Sequence, residues 1–579
     1  MKGFDVLKVK SAVKSRNKFD LSRTHLTTMD FGQIVPLFSE ELIPGDKFNV
    51  KADFFSRLAP LVKPTYGKFA FKTVSAFVPY FQVAEDCEAW FAGKTSWQGL
   101  TPVQRCITIS ELFNFILGYT QAGTSSSYDI KYEDSTGTLS YVTLTNTGRY
   151  YVKILNSLGY SVPQNVNLTV GGNWLNEIGS IKLSAYPILA FFKLYNDYMS
   201  QSQRFNSSTL SSILKNIQFN KPITNLYNSS TGVLTASCLT SMFTSLFLNY
   251  ENDYFTSAWQ SPNNALNAQE NVSAINVPGL TGTTADSINS NTNMNYLSMS
   301  NKSTFSQRAL DFLKSFDDWV RRNNYSGSRA VQQIYSRFGI KTDDYRTHYA
   351  QVLSTDSMPV QVGDVTATAD SANVPLGDYA GKGIMSGSKD ISYDCSDYGM
   401  LFIFGYFTVS PMMPYGFDRK VLRNSPLDYY NPEFDGLGAD EISLMEVYEN
   451  AHEGDGYDSD GVFGFTERYN AYRYGRDQIT GDFRDLRSNG DMNCWHTGRN
   501  LSLIRSVGNL VAQSKSMNTL PQTDSEYNRI FSVTSGDVDH FYLTAHFSVD
   551  AIRPMLNLNQ VPNLGTGDTV VPRNGNVIS

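Results

Sequence analysis

Toward its C-terminal end the chain reads HFYLTAHFSVDAI, a strict two-residue alternation. Phe541, Leu543, Ala545, Phe547, Val549 and Ala551 fall on one side, and Tyr542, Thr544, His546, Ser548 and Asp550 on the other. Period two with one apolar side specifies a half-buried antiparallel strand. Its counterparts lie at the opposite end of the chain. FGQIVPLF, KFNVKADFF and GKFAFKTVSAFVPY are rich in Phe and Val and bounded by Pro and Gly, as strands are. In the third run Phe69, Phe71, Thr73, Ser75 and Phe77 share one face. Strands at both ends must pair non-locally, which sandwiches and jelly rolls require. The longest apolar stretch, Met400 to Val409, is strand-sized and too short to cross a bilayer as a helix.

The intervening sequence is of two kinds. Phe305, Ala309, Phe312, Phe316, Trp319 and Val320 recur at helical spacing. SRAVQQIYSRFGI continues that pattern, with Ser328 as N-cap and Gly339 as C-cap. AYPILAFFKLYNDYM is expected to be a further helix. Residues 120–180, 205–240 and 260–304 are crowded with Asn, Ser, Thr and Gly and read as long functional or projecting loops. No internal repeat is evident.

Aromatics make up 13% of the 579 residues, while charged residues make up 18%, against about 25% in average domains. That balance excludes intrinsic disorder and suits strands and large contact surfaces. The net charge of -7 excludes a uniformly basic nucleic-acid binder. The first 23 residues are an exception. Lys2, Lys8, Lys10, Lys14, Arg16, Lys18 and Arg23 face only Asp5 and Asp20, a local charge of +5. Without periodicity, the run reads as a flexible basic arm. Five scattered cysteines without a CxxC pair indicate neither a zinc ribbon nor a disulfide framework, and a reducing compartment is the better reading. No secretory signal is visible at the N-terminus.

Chemistry-bearing motifs are missing. The sequence holds no nucleophile elbow, zinc-protease helix, P-loop or dinucleotide fingerprint. His540 and His546 share the polar side of one strand but stand about 20 Å apart along it. They are read as interface hydrogen-bonders rather than as a metal pair. Residues 431–461 hold ten carboxylates and no Lys or Arg. Their end, GDGYDSDG, offers Asp455, Asp458 and Asp460 as a weak calcium candidate outside EF-hand register. Next, Arg468, Arg473, Arg476 and Arg484 alternate with Tyr469, Tyr472 and Tyr474. Arg and Tyr are the residues enriched in protein interfaces. They also bind single-stranded nucleic acid, but the interspersed Glu467, Asp477, Asp482 and Asp485 favour an interface. Sequons such as Asn206, Asn228 and Asn301 carry no weight without a signal peptide.

Taken in order, these segments resemble one family. FDLSRTHLTTMDFGQIVPLFSEELIPGDKFNVKADFFSRLAPLVKPTYGKFAFKTVSAFVPY, with its turn at Pro44, Gly45 and Asp46, is similar to the N-terminal block of microvirus major capsid proteins. The resemblance is in particular to the gokushovirus-like branch of these single-stranded DNA phages. NDYFTSAW, the central helices, VPLGDYAGKG, DYYNPEFDGLGADEI, FGFTERYNAYRYGRDQITGDFRD and AIRPMLNLNQVPNLG each resemble a counterpart in the same order. The stretches 120–180 and 205–240 depart from the family pattern.

The resemblance implies a mainly β fold, an eight-stranded antiparallel jelly roll. A basic arm over residues 1–28 would precede a single capsid domain over 29–579. Insertions are expected at about 120–180, 205–304 and 305–345, the last helical. It implies a non-enzymatic subunit of a T=1 icosahedral capsid enclosing circular single-stranded DNA, located in the virion and assembled in the bacterial cytoplasm. A surface protrusion would come from 260–304 or 205–240. Expected partners are further copies, the packaged DNA, the phage's scaffolding, pilot and small internal proteins, and a host surface receptor, with no cofactor and no membrane insertion. The arm cations become candidate DNA contacts and the Arg/Tyr run a candidate subunit interface. Two rivals remain: a secreted or surface carbohydrate-binding protein, and a hydrolase using two of Asp435, Asp440, Glu441 and Glu446.

Overall fold

The computed structural model describes residues 16–96, 101–133, 137–167, 178–200, 208–248, 253–258, 349–363, 383–410, 412–435, 439–447, 462–484, 491–499, 527–533 and 538–555, with residues 99, 251, 315, 318 and 339. Strands β1 (Asn17–Asp20), β2 (Arg23–Met29), β3 (Val35–Leu42), β4 (Lys47–Leu58) and β5 (Phe69–Pro79) come first. Helices α1 (Ile109–Leu117), α2 (Asn146–Ser157), α3 (Tyr186–Leu194), α4 (Ser208–Gln218) and α5 (Ala236–Phe243) follow. Then come β6 (Gln351–Pro359), β7 (Gln361–Val362), β8 (Gly383–Asp394), β9 (Gly399–Val409), β10 (Ala439–Ser443), β11 (Val462–Glu467) and β12 (Phe541–Arg553).

The alternating strands build a mainly β sandwich. One sheet runs β1-β12-β4-β8-β7, with β2 continuing along β12 beyond β1. The other runs β6-β5-β9-β3. All these pairings are antiparallel. The expected inward residues of β12 and of β5 are all buried. Rings meet between the sheets: Phe407 stacks on Phe541 at 4.0 Å, and Phe38 lies 5.1 Å from Phe547. Each such ring removed from water contributes about 1.5–3 kcal/mol. The turn joining β3 to β4 places Gly45 at φ +93°, where a side chain would be strained.

The β9 sequence GMLFIFGYFTV has no alternation because its sheet is covered on both faces. Leu401, Ile403 and Phe407 face the sandwich core. Phe402 and Phe404 instead join a second core supplied by the α-helices, where Phe191 of α3 lies 5.1 Å from Phe404. That helical layer corrects part of the sequence reading. Residues 120–180 and 205–240, expected to be loops, contain α2, α4 and α5. Their polarity is one-sided: Tyr151, Ile154 and Leu155 of α2 are buried, and Thr145 and Thr235 cap α2 and α5. The helix expected over AYPILAFFKLYNDYM is present as α3, extended by a π turn over Tyr195–Met199. The 260–304 loop and the 305–345 helices lie outside the described residues, except that Ser315 and Asp318 are helical and Gly339 has a left-handed φ.

Two further readings change. Residues 17–29, assigned to the basic arm, form β1 and β2 at the sheet edge. His540 is not on the polar face of β12, which begins one residue later. It is buried, with Nδ1 2.7 Å from the Asp30 carboxylate, Nε2 2.7 Å from the Val533 carbonyl, and its ring stacked on Phe531. His546 does face outward, 3.0 Å from the Thr24 hydroxyl.

Candidate subunit interface

The Arg/Tyr run follows directly on β11. That strand pairs with β10 in a hairpin, Ala439 opposite Glu467. Tyr254, Phe255, Met413, Ile442, Val447 and Phe463 form a small core beneath it. Tyr469 turns the chain out of the hairpin at φ +61°.

Arg476 is the internal clamp of this unit. It donates to the carbonyls of Phe417 (2.7 Å), Glu446 (2.9 Å), Met413 (3.3 Å) and Tyr415. Tyr474 stacks on Tyr254 at 5.0 Å. Arg419 bridges Asp440 and Glu446, each at 3.1 Å. Burial pushes the Glu446 carboxyl up from its usual value against the pull of Arg419. Asp435 pairs with Arg473 at 2.8 Å. Asp435, Asp440 and Glu446 of the hydrolase rival thus serve as ion-pair partners within the structure.

The outer surface of the unit is aromatic. Two short 3-10 turns, Pro426–Asp428 and Pro432–Phe434, each start at a proline whose fixed φ suits the first turn. They hold out Leu427, Tyr429, Tyr430 and Phe434, which with Val421 and Tyr472 are 37–60% exposed. Arginines cap the rings. Arg423 lies 4.0 Å from the Tyr472 ring, and Arg468 lies 5.1 Å from Phe434. Tyr430 packs edge-on to Tyr469 and Tyr472. Large exposed rings fixed in place and alternating with guanidinium groups have the composition of interface hot spots.

The seven sequence candidates therefore separate. Arg468, Tyr472 and Arg473 belong to the exposed patch, and Tyr469 lies buried beneath it. Tyr474 and Arg476 are internal, and Arg484 packs 5.7 Å from the Tyr415 ring. The sequence reading missed Arg423, Leu427, Tyr429, Tyr430 and Phe434. Their signal was two prolines spacing aromatic residues in a stretch with no helix or strand period.

Among the arm cations, Lys2, Lys8, Lys10 and Lys14 lie outside the described residues. Arg16 is exposed at the entry to β1. Lys18 is paired with Asp550 at 2.9 Å. Arg23 is paired with Glu40 at 2.9 Å and lies over the Phe38 ring. Asp455, Asp458 and Asp460 lie outside the described residues, and no metal-ligating cluster of three or more side chains occurs among those described.

A family model described as capsid protein (F protein) matches residues 7–102 and 172–564. The unmatched residues between them include α1 and α2. The capsid protein VP1 of Chlamydia phage 1 is 24% identical over 599 residues, covering 94% of this chain and 95% of that protein. The capsid protein VP1 of Bdellovibrio phage phiMH2K is 25% identical over 235 residues, 40% of this chain and 41% of that protein.

Proposed function

The chain belongs to the phage capsid (F protein) family, and from that premise we propose that it is the repeating subunit of a T=1 icosahedral shell enclosing circular single-stranded DNA. It is a structural protein of the virion, not an enzyme. The observation that carries the assembly reading is the exposed ring-and-arginine patch of residues 421–434 and 468–473. On an isolated subunit those rings stay in water. Between copies they become desolvated anchors, and each arginine gains a partner's carbonyl or carboxylate. Repetition of one such heterologous contact closes a ring when its rotation closes, and a second kind of contact joins such rings into a shell. The two-sheet sandwich is read as the eight-stranded jelly roll of viral capsids, with extra edge strands at β1 and β7.

Lys18 and Arg23 have intramolecular partners, so the proposed genome contact falls to Lys2, Lys8, Lys10, Lys14 and Arg16. Loops of the insertions would meet the host surface, and scaffolding proteins would guide assembly. The test is electron microscopy with sedimentation of the protein from its producing cells. Uniform icosahedral particles containing single-stranded DNA are expected. Tyr429→Ala with Tyr472→Ala should leave a folded subunit, because exposed positions change stability by only about 0.5 kcal/mol, and should abolish particles. Normal particle yield from that variant would refute the patch as an interface. Removing residues 1–16 should lower the DNA content of particles, and undiminished, equally salt-resistant content would refute the arm's role.

A further inference from the structure

On the outward face of the first sheet, a groove of about 880 Å³ runs between that sheet and α2. The strand register sets its floor. Tyr542 of β12 stands opposite Arg57 of β4, and in the next row Phe55 stands opposite Thr544, itself opposite Leu26 of β2. Arg149, Lys153 and Asn156 line the wall from one face of α2. Phe55 is 39% exposed, Tyr542 44% and Leu26 73%, so two rings lie uncovered on the floor. The Arg57 guanidinium lies 5.5 Å from the Phe55 ring. Lys153 is fixed at 2.7 Å from Asp539 and 2.8 Å from the Gln33 side-chain oxygen. Three cations line the groove, and no carboxylate is among its lining residues.

We infer that this groove binds single-stranded nucleic acid, with bases stacked on Phe55 and Tyr542 and phosphates held by Arg57 and Arg149. Open rings beside fixed positive charge are what a sequence-tolerant single-strand site needs, because every base has a stackable face and every nucleotide one phosphate. A duplex keeps its bases stacked on each other and cannot offer them to rings on a groove floor. The inference rests on the reading that the shell encloses single-stranded DNA, and it gives that DNA a contact separate from the N-terminal segment.

The test is titration of a fluorescein-labelled dodecathymidylate into the purified full-length subunit, read by anisotropy over a salt series. Arg57→Gln with Arg149→Gln should weaken binding at least tenfold and lower the slope of log affinity against log salt by about 1.4, roughly 0.7 per lost contact. Phe55→Leu with Tyr542→Leu should weaken binding about tenfold and leave the slope unchanged. A bromodeoxyuridine probe irradiated with the unaltered protein should cross-link to the peptides containing residues 55 and 542, a readout that needs no variant to fold. Unchanged binding in both pairs, or cross-links confined to residues 1–16, would overturn the groove and leave DNA enclosure standing. Equal affinity for a duplex of the same length would also overturn it. Displacement of the probe by polyglutamate at matched charge concentration would reassign the groove to an acidic protein segment. Particles isolated without nucleic acid would instead refute the enclosure reading, and the titration would then decide the groove by itself.

Discussion

Replacing Arg105 by Met should open the helical layer far more than any surface change. The Arg105 side chain is fully buried, and its guanidinium grips Asp86 with two contacts, at 2.7 and 3.1 Å. It also donates to the carbonyls of Ile217 (3.0 Å), Val103 (2.5 Å) and Gln218 (3.4 Å). One side chain therefore ties together residues 86, 103–105 and 217–218. Met fills similar space but leaves the Asp86 side chain, 8% exposed, without its counter-charge. Losing one partner of a buried pair costs about 3–5 kcal/mol. Asp86→Leu added to Arg105→Met removes the stranded charge. The residual loss is then the unmet carbonyls and the Val103 amide, which Asp86 accepts at 3.1 Å, or about 1–3 kcal/mol. A chain of this size need not unfold in two states, so the assay is amide hydrogen exchange of peptides from residues 80–117 and 208–243. Arg105→Met should lower their protection by roughly two to four orders of magnitude, at about 1.4 kcal/mol per decade, and the double variant should restore part of it. The reasoning is refuted if the single variant loses less than about 1 kcal/mol of protection, or if the double variant is no better than the single.

Gly232 lies at φ +72°, where an added Cβ would come 2.7 Å from a Val103 methyl and collide with the Gln104 carbonyl. Gly232→Ala should cost about 2–4 kcal/mol, seen as lost protection in the same layer, and a neutral result would contradict the packing. Burial pushes the Asp539 carboxyl up, but the charge and hydrogen bond of Lys153, with Thr28 and Gln33, outweigh it and hold it below its usual value. A depressed folded value contributes stability above the unfolded value, about 3.9, and that stability is lost as pH falls through the folded value. Asp539→Asn should therefore flatten the acid limb of the stability curve measured by denaturant unfolding, and an unchanged limb would count against the pair.

Residues whose burial imposes a period were legible in the sequence. The alternation of β12 and the unbroken apolar run of β9 both encode which faces are covered. The edge strands β1 and β2 were not legible, because an edge tolerates and even favours charge. Lys18 and Arg23 therefore looked like an arm, although both have partners in the fold. Helix α2 hid for a related reason: its apolar stripe is narrow, and half of its twelve residues are the polar Asn146, Thr147, Arg149, Lys153, Asn156 and Ser157. The exposed ring-and-arginine patch had no period to find. Its rings are placed by two proline turns, and its closest arginine contacts join residues far apart in sequence, Arg423 with Tyr472 and Arg468 with Phe434. The internal role of Arg476 was equally invisible, since its four carbonyl acceptors come from residues 413–417 and 446.

Strand β12 lies between β1/β2 and β4, so the middle of one sheet is the part of that sheet the ribosome makes last. Its partner in β1–β2 is over 500 residues older, as the Val549 amide bonded to the Ser22 hydroxyl shows. Until it emerges, β4 has a vacant edge and the nascent chain lacks a closed sandwich. A chain cut short before residue 541 would keep that vacant edge and leave the sandwich core open. The order of the strands thus makes closure of the sandwich wait on translation through β12, the last strand among the described residues.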